Sequence, residues 1–252
     1  MDKAYLDHLD ELRTRMMRAM LGIIIGVIIS FVFISGIFRF LCRPYFDFMA
    51  SNGIVNQNAL LSLSPSDTFM MTFHAAILTG IGIALPWTIY QLWSFVAPGL
   101  YNDEKRYVSL GVTSTVLFFV AGALFAYFMI APMTITFFYN YSIGLGVMPS
   151  WTINGYFGFI TTLLVCFGVA FELPVVIFLL SAIGIVSPYL LTRYRRHAII
   201  VIFIISALLT PPDVVTQVMM AIPLILLYEI SIFGAKFIYK KRMNRLIASE
   251  FS

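Results

Sequence analysis

The chain has 252 residues, of which 60% are hydrophobic and only 11% are charged, and its mean hydropathy is +0.92. An ordinary soluble domain carries about 25% charged residues, so this composition excludes a soluble globular protein and predicts an integral membrane protein. The formal net charge of +4 is expected to reflect membrane topology and attraction to anionic lipid, and it gives no reason to predict a nucleic-acid partner.

Long uncharged segments predict an all-α polytopic protein. A membrane-spanning helix needs about 20 mostly apolar residues, and we expect six such helices, the last two of them short. They lie near residues 19–38, 69–97, 107–139, 153–183, 195–210 and 214–234. Of the 16 Lys and Arg residues, 14 fall on one side, in the N-terminus, the 101–107 tip, the 187–197 link and the tail from Lys236. This bias predicts that both termini are cytoplasmic.

The chain is expected to form a single membrane domain over residues 1–252. Residues 1–18 predict a cytoplasmic interfacial helix that turns into the first span, because apolar and charged side chains occupy separate faces at helical spacing. We expect an external cap loop over residues 39–68, a cytoplasmic recognition loop over 98–106 and a cytoplasmic tail over 235–252. Ser66 or Asp67 is expected to cap the second helix, and capping is the main role predicted for Asp67.

The first span carries Gly22 and Gly26 four residues apart. This spacing of small residues lets two membrane helices approach closely. The pattern is common in apolar helices, so we use it only to predict tight packing of the first span.

Two carboxylates lie at the predicted cytoplasmic surface. Glu11 can form a solvated pair with Arg15, four residues later on the same helix face, or it can bind a partner. Glu104 lies on the short charged tip between two apolar segments, and such a tip must sit in water or headgroups because charge in hydrocarbon is costly. If the protein recognises a partner, Glu104 is the first residue to examine.

Glu172 lies deep in an otherwise apolar helix. A charged side chain there costs about 2.5–3.5 kcal/mol on insertion scales, so such residues are functional or paired by default. Pro174 frees a backbone carbonyl nearby and is expected to kink the helix. Further on, Thr210, Asp213 and Gln217 form either a polar face in a thin region of the bundle or, for Asp213, a helix cap.

A secondary transporter that uses Glu172 as a proton carrier is the main alternative class. Such folds commonly contain internal repeats with paired broken helices, and no second copy of the Phe-Glu-x-Pro or Pro-Pro-Asp pattern occurs. A membrane enzyme is the second alternative. The chain lacks His-Glu-x-x-His, Gly-x-Ser-x-Gly and any convergent Cys/His set, so we predict no catalytic residues, no metal site and no cofactor.

Five motifs taken together resemble those of the TatC family, whose members are the TatC subunits of twin-arginine protein translocases. They occur in the family's order and span nearly the whole chain: His8-Leu-Asp-Glu-Leu-Arg-Thr-Arg15, Ser64-Pro-Ser-Asp-Thr-Phe69, Phe95-Val-Ala-Pro-Gly-Leu-Tyr-Asn-Asp-Glu-Lys-Arg106, Phe167-Gly-Val-Ala-Phe-Glu-Leu-Pro174 and Thr210-Pro-Pro-Asp-Val-Val-Thr-Gln217. The chain departs from the family at Asp67, where Glu is usual, and Asp103 adds a carboxylate beside Glu104.

The resemblance implies a concave, glove-like bundle in the cytoplasmic (inner) membrane that acts as a receptor for folded precursor proteins. The implied partners are the single-span subunits TatA and TatB, twin-arginine signal peptides, membrane lipids and further copies of the chain. The implied signal-peptide-binding residues are Glu11, Arg13, Phe95, Leu100, Glu104 and Arg106. The implied intramembrane contacts to partner spans are Glu172, Thr210, Asp213 and Gln217.

Overall fold

A computed structural model describes residues 2–53, 60–96, 105–209 and 214–250, and every structural statement below concerns these residues. They form ten α-helices, with a π-helical turn, Ala126–Ile130, between the fourth and the fifth. The helices are α1 Asp2–Val32, α2 Ile34–Ser51, α3 Asp67–Val96, α4 Lys105–Phe125, α5 Ala131–Gly144, α6 Ile153–Ala170, α7 Glu172–Ile183, α8 Pro188–Arg193, α9 Arg195–Leu209 and α10 Val214–Glu250. The all-α class is confirmed.

Five segments of the described helices are long and apolar enough to cross a bilayer: Asp10–Val32, Asp67–Gln91, Thr113–Gly144, Ile153–Phe178 and Gln217–Phe237. The predicted fifth span corresponds to α9, which has only 15 residues. At 1.5 Å per residue α9 is about 22 Å long, against a hydrocarbon core of about 30 Å. A total of six crossings, and the side on which the termini lie, stay predictions.

The N-terminal region differs from the sequence prediction. We expected a helix over residues 1–18 that turns into the first span, but α1 is one uninterrupted helix over Asp2–Val32. No Pro or Gly lies between residues 2 and 21, so nothing in the sequence interrupts the backbone hydrogen bonds there.

The predicted loop over residues 39–68 contains most of helix α2. Four of its apolar side chains are buried at helical spacing, namely Leu41, Cys42, Tyr45 and Met49, which explains why it folds as an amphipathic helix against the bundle. Burial raises the pKa of the Cys42 thiol to about 11. Pro44 lies inside this helix, and Asn52 directly follows its last residue.

Pro44 is tolerated inside α2 because tyrosine hydroxyl groups from other segments donate hydrogen bonds to backbone carbonyls near it. Pro44 has no N–H, so the carbonyl of Phe40, four residues earlier, lacks its usual helical donor. The Tyr127 hydroxyl donates to this carbonyl at 2.7 Å. The Tyr156 hydroxyl donates to the adjacent Leu41 carbonyl, also at 2.7 Å. These two bonds fix α2 to the π-helical turn and to α6.

The chain divides into two compact units, the first formed by Met1–Phe95 and Gly122–Phe167. Its core joins α2 to residues of α3, α5 and α6, with Tyr156, Phe157 and Ile160 among the buried side chains. A short bridge ties the segment before α3 to the one before α6, since the Leu61 amide donates to Trp151 and the Leu61 carbonyl accepts from Ile153, both at 2.9 Å.

Within the first unit, α1 and α3 cross with their backbones in contact. A Cβ on Gly26 would lie 2.5 Å from the Gly80 carbonyl oxygen, and one on Gly80 would lie 2.5 Å from the Cα of Val27. A Cβ on Gly22 would meet the Trp87 indole. The tight packing predicted from Gly22 and Gly26 is therefore confirmed, and Gly80 is its counterpart on α3.

The second unit consists of Val96–Ala121 and Gly168–Ser252. Its helices pack through a close contact of Gly234 with Phe178. The Tyr228 hydroxyl donates to the Leu191 carbonyl at 2.9 Å. An Arg195–Glu229 ion pair of 3.0 Å joins α9 to α10, with both side chains about two-fifths exposed.

Asp67 is placed differently from the predicted helix cap. It is the first residue of α3, and its carboxylate accepts backbone hydrogen bonds from Leu63 and Ser64, both at 2.8 Å. A cap would instead bind amides in the first turn of the helix. Asp67 therefore orders the segment that leads into α3, while its charge still lies at the favourable end of the helix dipole.

Candidate functional site

Glu11 lies on α1, among the charged residues that precede its apolar part. The Arg15 guanidinium donates to the Glu11 carboxylate from Nε at 3.0 Å and from Nη2 at 2.7 Å. Both bonds end on the same oxygen, Oε1. The Glu11 side chain is about a third exposed and the Arg15 side chain about a fifth. The predicted Glu11–Arg15 pair is therefore present, and the carboxylate already holds a guanidinium group with two hydrogen bonds.

The other residues implied in signal-peptide binding are placed only in part. Arg13 is exposed on α1. Phe95 belongs to the last turn of α3 and Arg106 to the first turn of α4, and only their backbones are described. Leu100 and Glu104 lie outside the described residues, and so does Asp103. How these residues are arranged around Glu11 stays a prediction.

Glu172 is buried at the break of the fourth predicted span. The single helix expected over residues 153–183 is interrupted at Phe171, so that α6 ends at Ala170 and α7 begins at Glu172. Pro174 lies in the first turn of α7, where the missing N–H costs least. The predicted kink near Pro174 thus takes the form of a break, and it places a carboxyl group at the start of a helix.

The surroundings of Glu172 within the second unit include one polar side chain that the sequence analysis missed. The hydroxyl of Thr115, on α4, lies beside the Glu172 carboxyl. Glu172 is 5% exposed and Thr115 is 1% exposed. Neither carboxyl oxygen, nor the Thr115 hydroxyl, has a partner within hydrogen-bond geometry among the described residues. The pair is separated by 57 positions, and a Thr in an apolar helix gives no local signal of such a neighbour.

Of the polar residues predicted near the sixth helix, Gln217 can be located. Its Nε2 donates to the Phe203 carbonyl of α9 at 3.0 Å, so the amide links the two last helices. Thr210 and Asp213 lie outside the described residues, so a polar face shared with Gln217 stays a prediction.

The chemistry that these groups offer is recognition and polar contact. Glu11 presents a carboxylate at the charged end of α1, and Glu172 presents a carboxyl group buried between helices. Among the described residues, no group of three or more His, Cys, Asp or Glu side chains is close enough to hold a metal ion. The fold defines a multi-span helical membrane protein in which Glu11 lies in α1 and the Glu172 carboxyl group is buried at the start of α7.

Comparison with known proteins gives the family. The profile of the family described as "Sec-independent protein translocase protein (TatC)" matches residues 7–223, and the chain belongs to this family. TatC of Desulforapulum autotrophicum is 39% identical over 239 residues, which are 94% of this chain and 86% of that protein. TatC of Aquifex aeolicus is 37% identical over 241 residues, 94% of this chain and 96% of that protein.

TatC of Halothiobacillus neapolitanus is 38% identical over 242 residues. They are 96% of this chain but 64% of that protein, so this chain spans just under two thirds of that relative's length. A crystal structure described as "Twin Arginine Translocase Receptor- TatC" superposes with a TM-score of 0.81 at 36% identity, covering 92% of this chain and 99% of that one. A second, described as the same receptor in DDM, gives 0.80 at 38% identity and covers 90% and 98%. The resemblance to the TatC family that the sequence motifs indicated is thus confirmed. The chain is a protein-translocase component rather than a member of a known enzyme family.

Proposed function

We propose that this protein is the core receptor subunit of a twin-arginine translocase, which binds the twin-arginine signal peptide of folded precursors and nucleates assembly with TatA and TatB. Membership of the TatC family supports this, as does the close match to a structure described as a twin-arginine translocase receptor. The observation that carries the proposal is the Glu11 carboxylate, which accepts two hydrogen bonds from a guanidinium group.

The Glu11 geometry supports selectivity for arginine over lysine. A guanidinium group offers several N–H donors in a fixed plane, whereas a lysine ammonium acts as a point charge. Both Arg15 donors use Oε1, and among the described residues Oε2 accepts no hydrogen bond. An arginine of the signal peptide is therefore proposed to use the free edge of the carboxylate or to displace Arg15.

Glu104 is proposed to bind the second guanidinium group, with Arg13, Phe95, Leu100 and Arg106 shaping the surface around it. Glu172, Thr210, Asp213 and Gln217 are proposed to meet the spans of TatA and TatB. The proposal places the protein in the cytoplasmic membrane with both termini in the cytoplasm. The Lys and Arg bias supports this orientation.

The test is export of a twin-arginine precursor by cells that carry Glu104→Ala. We expect export to be abolished while the protein stays at normal levels in the membrane, because removing one partner of a desolvated ion pair costs about 2–5 kcal/mol. Asp103→Ala is the matched control, since it removes a neighbouring carboxylate, and it decides which of the two a ligand prefers. Normal export by Glu104→Ala would contradict the proposal.

Direct binding is tested by crosslinking a twin-arginine peptide to positions 11 and 104. We expect crosslinks from both positions to the twin-arginine peptide and much weaker ones to a twin-lysine peptide of the same sequence. Equal crosslinking of the two peptides would show that guanidinium recognition is absent.

A further inference from the structure

A groove runs along the close crossing of α1 and α3, inside the first unit. It has a volume of about 350 Å³. Gly22, Gly26 and Ala84 form its floor, because none of these residues has a side chain large enough to fill the space between the helices. The helix crossing that these small residues permit therefore creates a depression on the outer surface of the pair.

The walls of the groove are apolar side chains that other parts of the described chain leave uncovered. Leu21 and Ile25, on α1, are each 56% exposed, and Ile83, on α3, is 50% exposed. Ile29 continues the α1 wall. Inside a bilayer, an apolar groove of this kind faces hydrocarbon rather than water, and lipid chains are its natural occupants.

One end of the groove carries a positive charge. Arg18 lines it, and among the described side chains no carboxylate forms an ion pair with Arg18. The Arg18 carbonyl accepts a hydrogen bond of 3.1 Å from Nε1 of Trp87, so the Trp87 indole is held at the same end. Tryptophan is characteristic of the membrane–water interface.

The length of the groove matches one leaflet of the bilayer. From Arg18 to Ile29 the helix rises by about 16 Å, which is about half of a hydrocarbon core of about 30 Å. The charged residues of α1 end at Arg18, and the chain carries no charge from residue 19 to residue 38. Arg18 thus lies at headgroup level with the apolar walls extending from it into one leaflet.

We propose that this groove is a binding site for an anionic phospholipid, whose phosphate group pairs with Arg18 while one acyl chain lies between Leu21, Ile25 and Ile83. Basic pockets between membrane helices bind anionic headgroups in this way. The charge complementarity distinguishes this site from the general lipid-facing surface, where apolar side chains accept any acyl chain. The proposal does not depend on recognition of a signal peptide.

The groove supplies its own reporter, because Trp87 lines it. In a Trp93→Phe, Trp151→Phe background, Trp87 is the single tryptophan, and lipids with brominated acyl chains quench its fluorescence on contact. The full-length protein is reconstituted into bilayers that contain either brominated phosphatidylglycerol or brominated phosphatidylcholine. We expect half-maximal quenching at a mole fraction about fivefold lower for the anionic lipid, the factor expected for one Arg near the surface.

Arg18→Gln is expected to remove the preference and Arg18→Lys to keep most of it. Arg39→Gln is the matched control, since it removes an exposed cation on α2 and should leave the fivefold ratio unchanged. A second reporter with Trp151 alone, which packs against Tyr45, should show no preference in either protein, and an unchanged Trp151 emission spectrum verifies that Arg18→Gln remains folded.

Three results would overturn the proposal. Equal quenching by both lipids would mean general contact with bilayer lipid only. A preference that survives Arg18→Gln would place the anionic site elsewhere. Shielding of Trp87 from both lipids would mean that protein, such as a second copy of the chain, covers the groove.

Discussion

At the scale of single residues, Tyr127 shows how a proline is accommodated inside a buried helix. Its hydroxyl satisfies the Phe40 carbonyl that Pro44 leaves without a helical donor. Tyr127 is 4% exposed, so no water replaces this bond easily. A buried polar group left unsatisfied costs about 1–3 kcal/mol.

We therefore expect Tyr127→Phe to lower the free energy of unfolding by about 1–2 kcal/mol, measured as a lower thermal unfolding midpoint in detergent. Tyr141→Phe is the control, because Tyr141 is 60% exposed and its hydroxyl forms no hydrogen bond with the described residues. Equal midpoints for the two variants would show that the Phe40 carbonyl finds another donor.

Glu172 gives a functional prediction at the same scale, which rests on the proposed role in partner contact. Its carboxyl group is buried beside Thr115, and a carboxamide has nearly the same shape and still forms hydrogen bonds. Glu172→Gln should therefore retain most precursor export, whereas Glu172→Leu should lose it. Membrane levels by immunoblot are the control. If the unsubstituted protein and both variants export the precursor equally, Glu172 has no role in translocation.

Sequence alone found Glu172, because a carboxyl group in an apolar helix is unusual whatever surrounds it. It could not find Thr115, since hydroxyl residues are common in membrane helices and the contact joins distant parts of the chain. Asp67 was placed at a helix start correctly, but its hydrogen bonds point to the preceding segment. The residue type predicted that this carboxylate lies at a helix start, whereas the geometry of the preceding segment determines which backbone amides donate to it.

At the scale of helices, the crossing of α1 and α3 depends on glycines that face backbone atoms. The sequence indicated close packing from Gly22 and Gly26 but did not identify Gly80, because packing partners are chosen by tertiary structure. Likewise, most of α2 was predicted to belong to a loop, because Pro44 and Asn52-Gly53 are residues typical of turns and loops. The donor that compensates for the missing N–H of Pro44 is Tyr127, which lies 83 positions later in the chain.

Gly26→Ala and Gly80→Ala are expected to destabilise the protein, because each new Cβ would lie 2.5 Å from a backbone atom of the other helix. Such overpacking costs about 1–3 kcal/mol. Gly36→Ala is the matched control, since no other part of the described chain lies within 4 Å of a Cβ at this position, and Ala favours a helix over Gly by up to about 1 kcal/mol. The thermal unfolding midpoints of the three variants check this, and those of Gly26→Ala and Gly80→Ala should be lower than that of Gly36→Ala. A midpoint for Gly80→Ala at or above that of Gly36→Ala would mean that the helices separate without loss.

At the scale of the whole molecule, composition determined the class and the charge bias predicted the topology, but the number of crossings depends on α9. Five segments of the described helices meet the length and hydropathy expected of a span, and an odd number would put the termini on opposite sides. The helix α9 has 15 residues and begins with Arg195 and Arg196. Short spans are accommodated by local thinning of the bilayer and by long basic side chains that reach the interface.

We therefore expect α9 to cross the membrane and both termini to share one side. Single cysteines at positions 10, 148 and 249 test this, in a chain that carries Cys42→Ala and Cys166→Ala. A membrane-impermeant maleimide should label position 148 in intact cells and positions 10 and 249 only after permeabilisation. Labelling of all three positions in permeabilised cells is the control for reactivity. Labelling at 249 but not at 10 in intact cells would mean that α9 does not cross, because a stretch about 8 Å shorter than the hydrocarbon core would then stay at one surface.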